Sequence, residues 1–237
     1  MGIKSIFIII LDISGYTRFI SEHKLDLLHA ESIIGELMEA VIDEVQAPII
    51  THEILGDAVT CYALNDDFNS AQRIYEEVRK YFEAFWTCER GLVSECTLCH
   101  CSACSNVGQL KLKAILHVGD AAFTQVKNIQ KISGSSVITA HRLLKNSIAS
   151  DQYILMTEPF FNMVSVEDVE ESREFCEGLG EIDVYVHNLD PDRPLDTSAP
   201  GILTRIARHL KTNLHSYGRL LGVKKAKSYQ NLPRSSH

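Results

Sequence analysis

Residues 4–17 read KSIFIIILDISGYT, and the architecture of the chain follows from how this stretch is read. The run at 6–11 is apolar without polar alternation, the pattern of a strand buried on both faces. It stops at Asp12, far short of the ~20 apolar residues a membrane span requires, and no cleavage-site pattern follows it. Ser14-Gly15 then turns the chain. From 19 to 45 apolar residues recur at Ala30, Ile33, Ile34, Leu37, Met38, Val41, Ile42 and Val45, the spacing of an amphipathic helix that Pro48 ends. Two β-favouring runs, 49–54 and 58–63, are separated only by Leu55-Gly56-Asp57, which predicts a hairpin with glycine in its tight turn.

A second helix carries the stripe Ala71, Ile74, Tyr75, Val78, Phe82 and Phe85 and leads into a cysteine-rich insert at 88–106. Alternation at 110–117 predicts a further strand, and Gly119 is read as a turn into the next one toward Phe123. A helix at 136–148, a strand at 153–156 and a closing strand at 181–186 complete the expected domain. The order strand, helix, hairpin, helix, strand predicts an α+β fold with a ferredoxin-like βαββαβ core, extended by a hairpin and helices.

The 237 residues suffice for one substantial core, expected over 1–190 with a separate tail at 191–237. A formal charge of −8 offers no global basic field, which argues against a nucleic-acid partner. Seven cysteines without a secretory signal fit a reducing, cytoplasmic setting. Within the tail, Ile202, Leu203, Ile206, Leu210, Leu214, Tyr217 and Leu221 follow helical spacing among Arg205, Arg208, Lys211 and Arg219. Such a basic amphipathic helix suits a membrane surface or a protein partner, or packs on its own domain or dimer mate.

Two carboxylates stand out. Asp12 ends the first strand and Asp57 sits in the bend of the hairpin expected beside it. Two such groups at neighbouring strand ends converge on one cation-sized space, and hard oxygen ligands favour Mg²⁺ or Mn²⁺. The plainer reading makes Asp12 a turn cap and Asp57 an ordinary hairpin residue.

Asp12-Ile13-Ser14-Gly15-Tyr16-Thr17 resembles the D-I-x-G-F-T signature of class III adenylyl and guanylyl cyclases, and Leu55-Gly56-Asp57-Ala58 resembles their second metal motif. Residues 114–119 (AILHVG) resemble the family's I-G-I-H-x-G strand, residues 134–143 (GSSVITAHRL) its G-x-x-V-N-x-A-x-R-L helix, and residues 178–185 (GLGEIDVY) its closing strand. The likeness covers roughly 4–188 in order. The insert and the run 142–146 are similar to a bacterial cyclase-like family of unknown function.

The resemblance implies that Asp12 and Asp57 carry two divalent ions at a homodimer interface, where a nucleoside triphosphate becomes a 3′,5′-cyclic nucleotide. It makes Arg142 the catalytic arginine that steadies phosphate charge from the partner subunit. Glu53 falls at the base-selecting position, where a carboxylate accepts hydrogen bonds from guanine N1 and N2, so GTP is favoured. The second base-selecting position is Lys131. Three departures oppose catalysis: Ile138 replaces the ribose-orienting asparagine, Lys131 replaces an acid or cysteine, and Glu177-Gly178-Leu179-Gly180 replaces a lysine-bearing phosphate stretch. Each such loss costs ~3 kcal/mol, which Lys127, Lys131, His141 or Lys145 would have to offset as phosphate ligands. The alternative is a catalytically inactive domain that senses nucleotide or metal.

Finally, Cys96, Cys99, Cys101 and Cys104 flank His100 within nine residues. C-x-x-C spacing is a zinc half-site, and the cluster is assigned to Zn²⁺. Two half-sites one residue apart strain a loop, so three ligands here with a fourth from Cys88 or elsewhere is a second arrangement. An iron–sulfur centre, redox-sensing thiols and reduced cysteines without a ligand remain competing uses.

Overall fold

The computed structural model describes residues 2–23, 27–66, 70–95, 101–127 and 129–189. The chain runs β1 (Gly2–Ser14), α1 (Tyr16–Glu22), α2 (Leu27–Glu44), β2 (Ile50–Leu55), β3 (Ala58–Leu64), α3 (Ala71–Glu95), α4 (Ser102–Asn106), β4 (Lys111–Val126), β5 (Ile129–Ser133), α5 (Ser135–Arg142), β6 (Tyr153–Thr157), α6 (Glu158–Phe161), β7 (Glu170–Cys176) and β8 (Gly180–Asn188). The expected tail helix and the boundary at 190 lie outside the described residues. No described helix is long and apolar enough to cross a membrane.

Among the described residues eight strands form one sheet in the order β2-β3-β1-β4-β6-β8-β7, with β5 pairing β4. The segment β2-β3-β1-β4 is the strand order of a ferredoxin-like core, with β1 antiparallel to both neighbours. β6 adds parallel to β4, and the β7–β8 hairpin closes the far edge. β1 is central because residues 6–11 are buried throughout, as their unbroken apolar run requires.

Strand parity separates two cores. Phe7, Ile9, Leu11 and Ile13 face α2 and α3, whose buried stripes include Ile33, Leu37, Val78, Phe82 and Phe85. Ile6, Ile8 and Ile10 face the other way, toward Ala140 and Leu143 of α5 and its flank. Asp12 shares parity with this second set, so its side chain stands on the α5 face of the sheet.

The structure revises several expectations. The helix expected over 19–45 is two helices, because α1 ends at His23, whose φ of −112° and ψ of 35° leave the helical region. α3 continues through Cys88 to Glu95, eight residues into the expected insert, held there by Leu92 against the core and by Glu89, which pairs with Lys111 at 2.8 Å. The helix expected to reach Ile148 stops at Arg142. Asn146 competes with the helix for its backbone, since its amide donates to the Leu143 carbonyl at 2.7 Å and to Tyr153 Oη at 2.8 Å. β5 and β7 were not foreseen. β7 carries charged residues along a sheet edge, which hides the apolar alternation a strand reading depends on.

Gly119 makes no turn, and β4 passes straight through it. A Cβ there would lie 2.3 Å from Ser136 Oγ and 3.0 Å from Ser136 Cβ, so glycine is what lets the start of α5 seat against the sheet. Gly119→Ala is expected to destabilise the protein by about 1–3 kcal/mol, and Ser136→Gly in the same chain to restore most of it. Urea unfolding of the two single variants and the double variant measures the coupling. Additive losses would mean that the clash is absorbed elsewhere.

Candidate functional site

The β2–β3 hairpin positions one carboxylate and β1 the other. Gly56, at φ 63°, takes the first central position of a two-residue turn, which leaves Asp57 next to Ala58, the residue that pairs with Asp12. The two side chains are close enough to hydrogen-bond. Burial and then the neighbouring Asp12 charge push the Asp57 carboxyl up to about 6, with a backbone hydrogen bond and Lys113 acting the other way. This is the signature of two acids crowded into one space.

Lys113 is the residue that motif reading missed. It pairs with Asp12 across β1 and β4, and its ammonium lies 3.0 Å from Asp12 Oδ2 and 3.2 Å from the Leu144 carbonyl oxygen. Both side chains of the ion pair are less than one-fifth exposed. Its only sequence signal was the alternation of 110–117, which says that Lys113 shares a face with Lys111 but not what it faces.

The exposed face of α5 forms a cleft of about 380 Å³ lined by Val137, Ile138, His141, Arg142 and Lys145. The structure therefore brings together three of the expected phosphate-site residues, with Ile138 among them and half exposed. Arg142 lies 3.5 Å from Glu177, which stands in the β7–β8 turn. Both partners are well exposed, so this pair contributes little energy. Glu53 is exposed on β2 beside a register shift. Burial holds the neighbouring His52 imidazole below its ordinary value, with the Glu53 charge opposing and His141 acting with it, so the β2 edge and α5 lie within electrostatic reach.

Lys127 and Lys131 are not part of this grouping. Lys131 pairs with Thr124, whereas Glu53 is level with Ile115 through Thr60 and Ile10. Nine residues of β4 separate Ile115 from Thr124, about 30 Å along the strand. Lys127 lies farther still, in the turn beyond Val126.

His117 is partly buried on the α5 face beside Gly119 and Ser136. Burial pushes its imidazole down to about 4, so it is neutral at physiological pH, and its Nδ1 lies 2.8 Å from Thr157 Oγ1. That makes it a packing residue between β4 and β6.

A second cluster lies across the sheet. Cys101 Sγ is 3.3 Å from His29 Nδ1, and Cys104 Sγ is 3.6 Å from His29 Nε2. The three side chains offer ligand atoms all within 4.8 Å of one another. Cys101 and Cys104 are thus half of the expected cysteine set, while Cys96, Cys99 and His100 lie outside the described residues. Cys88, weighed as a further ligand, stands outside the group, 3.6 Å from the Glu36 carbonyl oxygen. His29 carried no signal in the sequence, because it is 72 residues from Cys101.

Among proteins of known structure, the chain is similar to the adenylyl cyclase CyaB of P. aeruginosa, with a TM-score of 0.56 at 13% identity over 82% of this chain and 98% of that one. It is similar also to the guanylyl cyclase Cya2, with a TM-score of 0.55 at 12% identity over 81% and 96%. At these identities the likeness is one of fold, and the fold is that of class III cyclase catalytic domains. A relative from Mycobacterium tuberculosis, the uncharacterized protein Rv2561/Rv2562, is 28% identical over 203 residues, covering 81% of this chain and 91% of its own. Residues 34–153 match the family described as protein of unknown function (DUF2652), and the chain belongs to that family.

Proposed function

We propose that the protein binds a nucleoside triphosphate, GTP in preference, with Mg²⁺ or Mn²⁺ between two copies of the chain, and closes it to the 3′,5′-cyclic nucleotide with release of pyrophosphate. The observation that carries this reading is the meeting of Asp12 and Asp57 on the α5 face of the sheet, with Asp57 pushed up to about 6. Two crowded carboxylates fit a hard divalent cation, which relieves their repulsion. Once bound, the metal would polarise phosphate oxygens and lower the pKa of the ribose hydroxyl.

The chain's own residues divide the remaining work. Asp12 and Asp57 hold the cation. Arg142 and Lys145 supply positive charge in the α5 cleft beside His141, and the planar guanidinium of Arg142 suits phosphate recognition. Glu53 accepts hydrogen bonds from a guanine edge. Lys131, about 30 Å along β4 from the level of Glu53, takes no part in this reading, in which Arg142 reaches the nucleotide across an interface between two copies. Exposed apolar side chains at Ile54, Leu55 and Ile138 suit such an interface.

A second reading is a catalytically silent domain that binds nucleotide or metal. It draws on Glu177, which faces Arg142, and on Lys113, whose ammonium already neutralises Asp12. Incubating the protein with each of the four triphosphates and Mn²⁺ separates the two. Cyclic product with pyrophosphate is expected, most from GTP. Metal-dependent binding without product would favour the silent domain, and binding of neither triphosphate nor Mn²⁺ would dismiss both.

A further inference from the structure

We propose that His29, Cys101 and Cys104 form a Zn²⁺ site that ties the start of α2 to α4. The three donors come from segments more than 70 residues apart and converge at the edge of the α2/α3 core, with Cys104 buried and Cys101 packed against it. Around a tetrahedral zinc with Zn–S of ~2.3 Å and Zn–N of ~2.0–2.1 Å, neighbouring donor atoms sit about 3.5–3.8 Å apart. One nitrogen of His29 and the two sulfurs lie within 4.8 Å of one another, so a small adjustment of the side chains brings the three donors to that spacing. Two thiolates and an imidazole are soft donors, which select zinc over the hard cations suited to Asp12 and Asp57.

The local backbone agrees with a ligand role. Cys101 caps α4, and its sulfur accepts the Cys104 N–H at 3.4 Å, which turns both sulfurs toward the same space. None of the described cysteines is disulfide-bonded. The adjoining His23 is buried and lies 3.1 Å from Asn106, so α4 is fastened to the α1–α2 region twice, once by a hydrogen bond and once by the metal. Water or one further donor completes the coordination. Asp12 and Asp57 stand on the opposite face of the sheet, so this site is separate from the nucleotide reading and does not depend on it.

Protein purified anaerobically is expected to hold about one zinc per chain, with X-ray absorption at the zinc edge showing a mixed sulfur and nitrogen shell. His29→Asn is expected to lower zinc affinity at least about tenfold, whereas Cys88→Ser and Asp57→Asn keep full occupancy. Should His29→Asn fail to fold, Co²⁺ added to metal-free wild-type protein gives the same answer, through tetrahedral d–d bands and a thiolate charge-transfer band. An all-sulfur shell, undiminished zinc in His29→Asn, an octahedral cobalt spectrum, or metal-free protein carrying a Cys101–Cys104 disulfide would each overturn the proposal.

Discussion

Asp57→Asn is expected to stabilise the metal-free protein at pH 7–8 while removing most of its response to Mg²⁺ or Mn²⁺. The sign follows from the direction of the pKa shift. In the folded chain the Asp57 carboxyl is raised from 3.8 to about 6, so the fold holds a proton that the unfolded chain has already released. Stability is therefore undiminished below about pH 4, falls as pH rises toward 6, and stays reduced above it. A shift of about two units corresponds to about 3 kcal/mol at full burial. Asp57 is only partly buried, so solvent screening reduces this to on the order of 1–2 kcal/mol.

Asparagine keeps the shape of the side chain and removes the charge, so the variant loses this pH-dependent penalty. It also loses half of the cation-holding pair. Product formation from GTP is expected to fall by at least about 10²-fold. Thermal unfolding at pH 5, 6 and 8, with chelator and with added Mn²⁺, measures both effects. Equal stabilisation of wild type and variant by Mn²⁺ would remove Asp57 from the cation site, whatever its effect on turnover.

Phe7→Ala is expected to cost about 3–5 kcal/mol. Phe7 is fully buried at the centre of β1 and meets Phe160 edge to face, with ring centroids 5.9 Å apart and planes at 82°. The truncation leaves a cavity that neighbours cannot collapse to fill, because β1 is clamped between β3 and β4 over most of its length. It also forfeits the aromatic pair, which adds about 0.5–1.5 kcal/mol. A domain of this size has about 5–15 kcal/mol in all, so the urea midpoint should fall steeply with little change in slope. Ile8→Val, one residue along and on the opposite face, should lose only about 0.5–1.5 kcal/mol. Similar losses for the two would mean that the cost is not set by the volume removed.

Much of this protein is written locally. An apolar run such as 6–11 admits only a strand covered on both sides, and Gly56 between two β-favouring runs admits only a tight hairpin. The stripes on α2 and α3 follow from helical periodicity alone, and the motifs around Asp12 and Asp57 mark the two acids without any coordinates. These features are legible because each is decided by interactions a few residues long.

Other features depend on which segments become neighbours. Lys113 reaches Asp12 only because β1 and β4 pair in one register, and His29 reaches Cys101 and Cys104 only because α4 docks beside α2. Gly119 resembles a turn glycine until α5 is laid across it. β7 resembles a polar loop until it becomes the edge of a sheet. Propensity and spacing describe a residue by its own stretch of chain. Charge pairing, metal geometry and steric fit are set by the stretch that folds against it, about a hundred residues away in the case of Lys113 and Asp12.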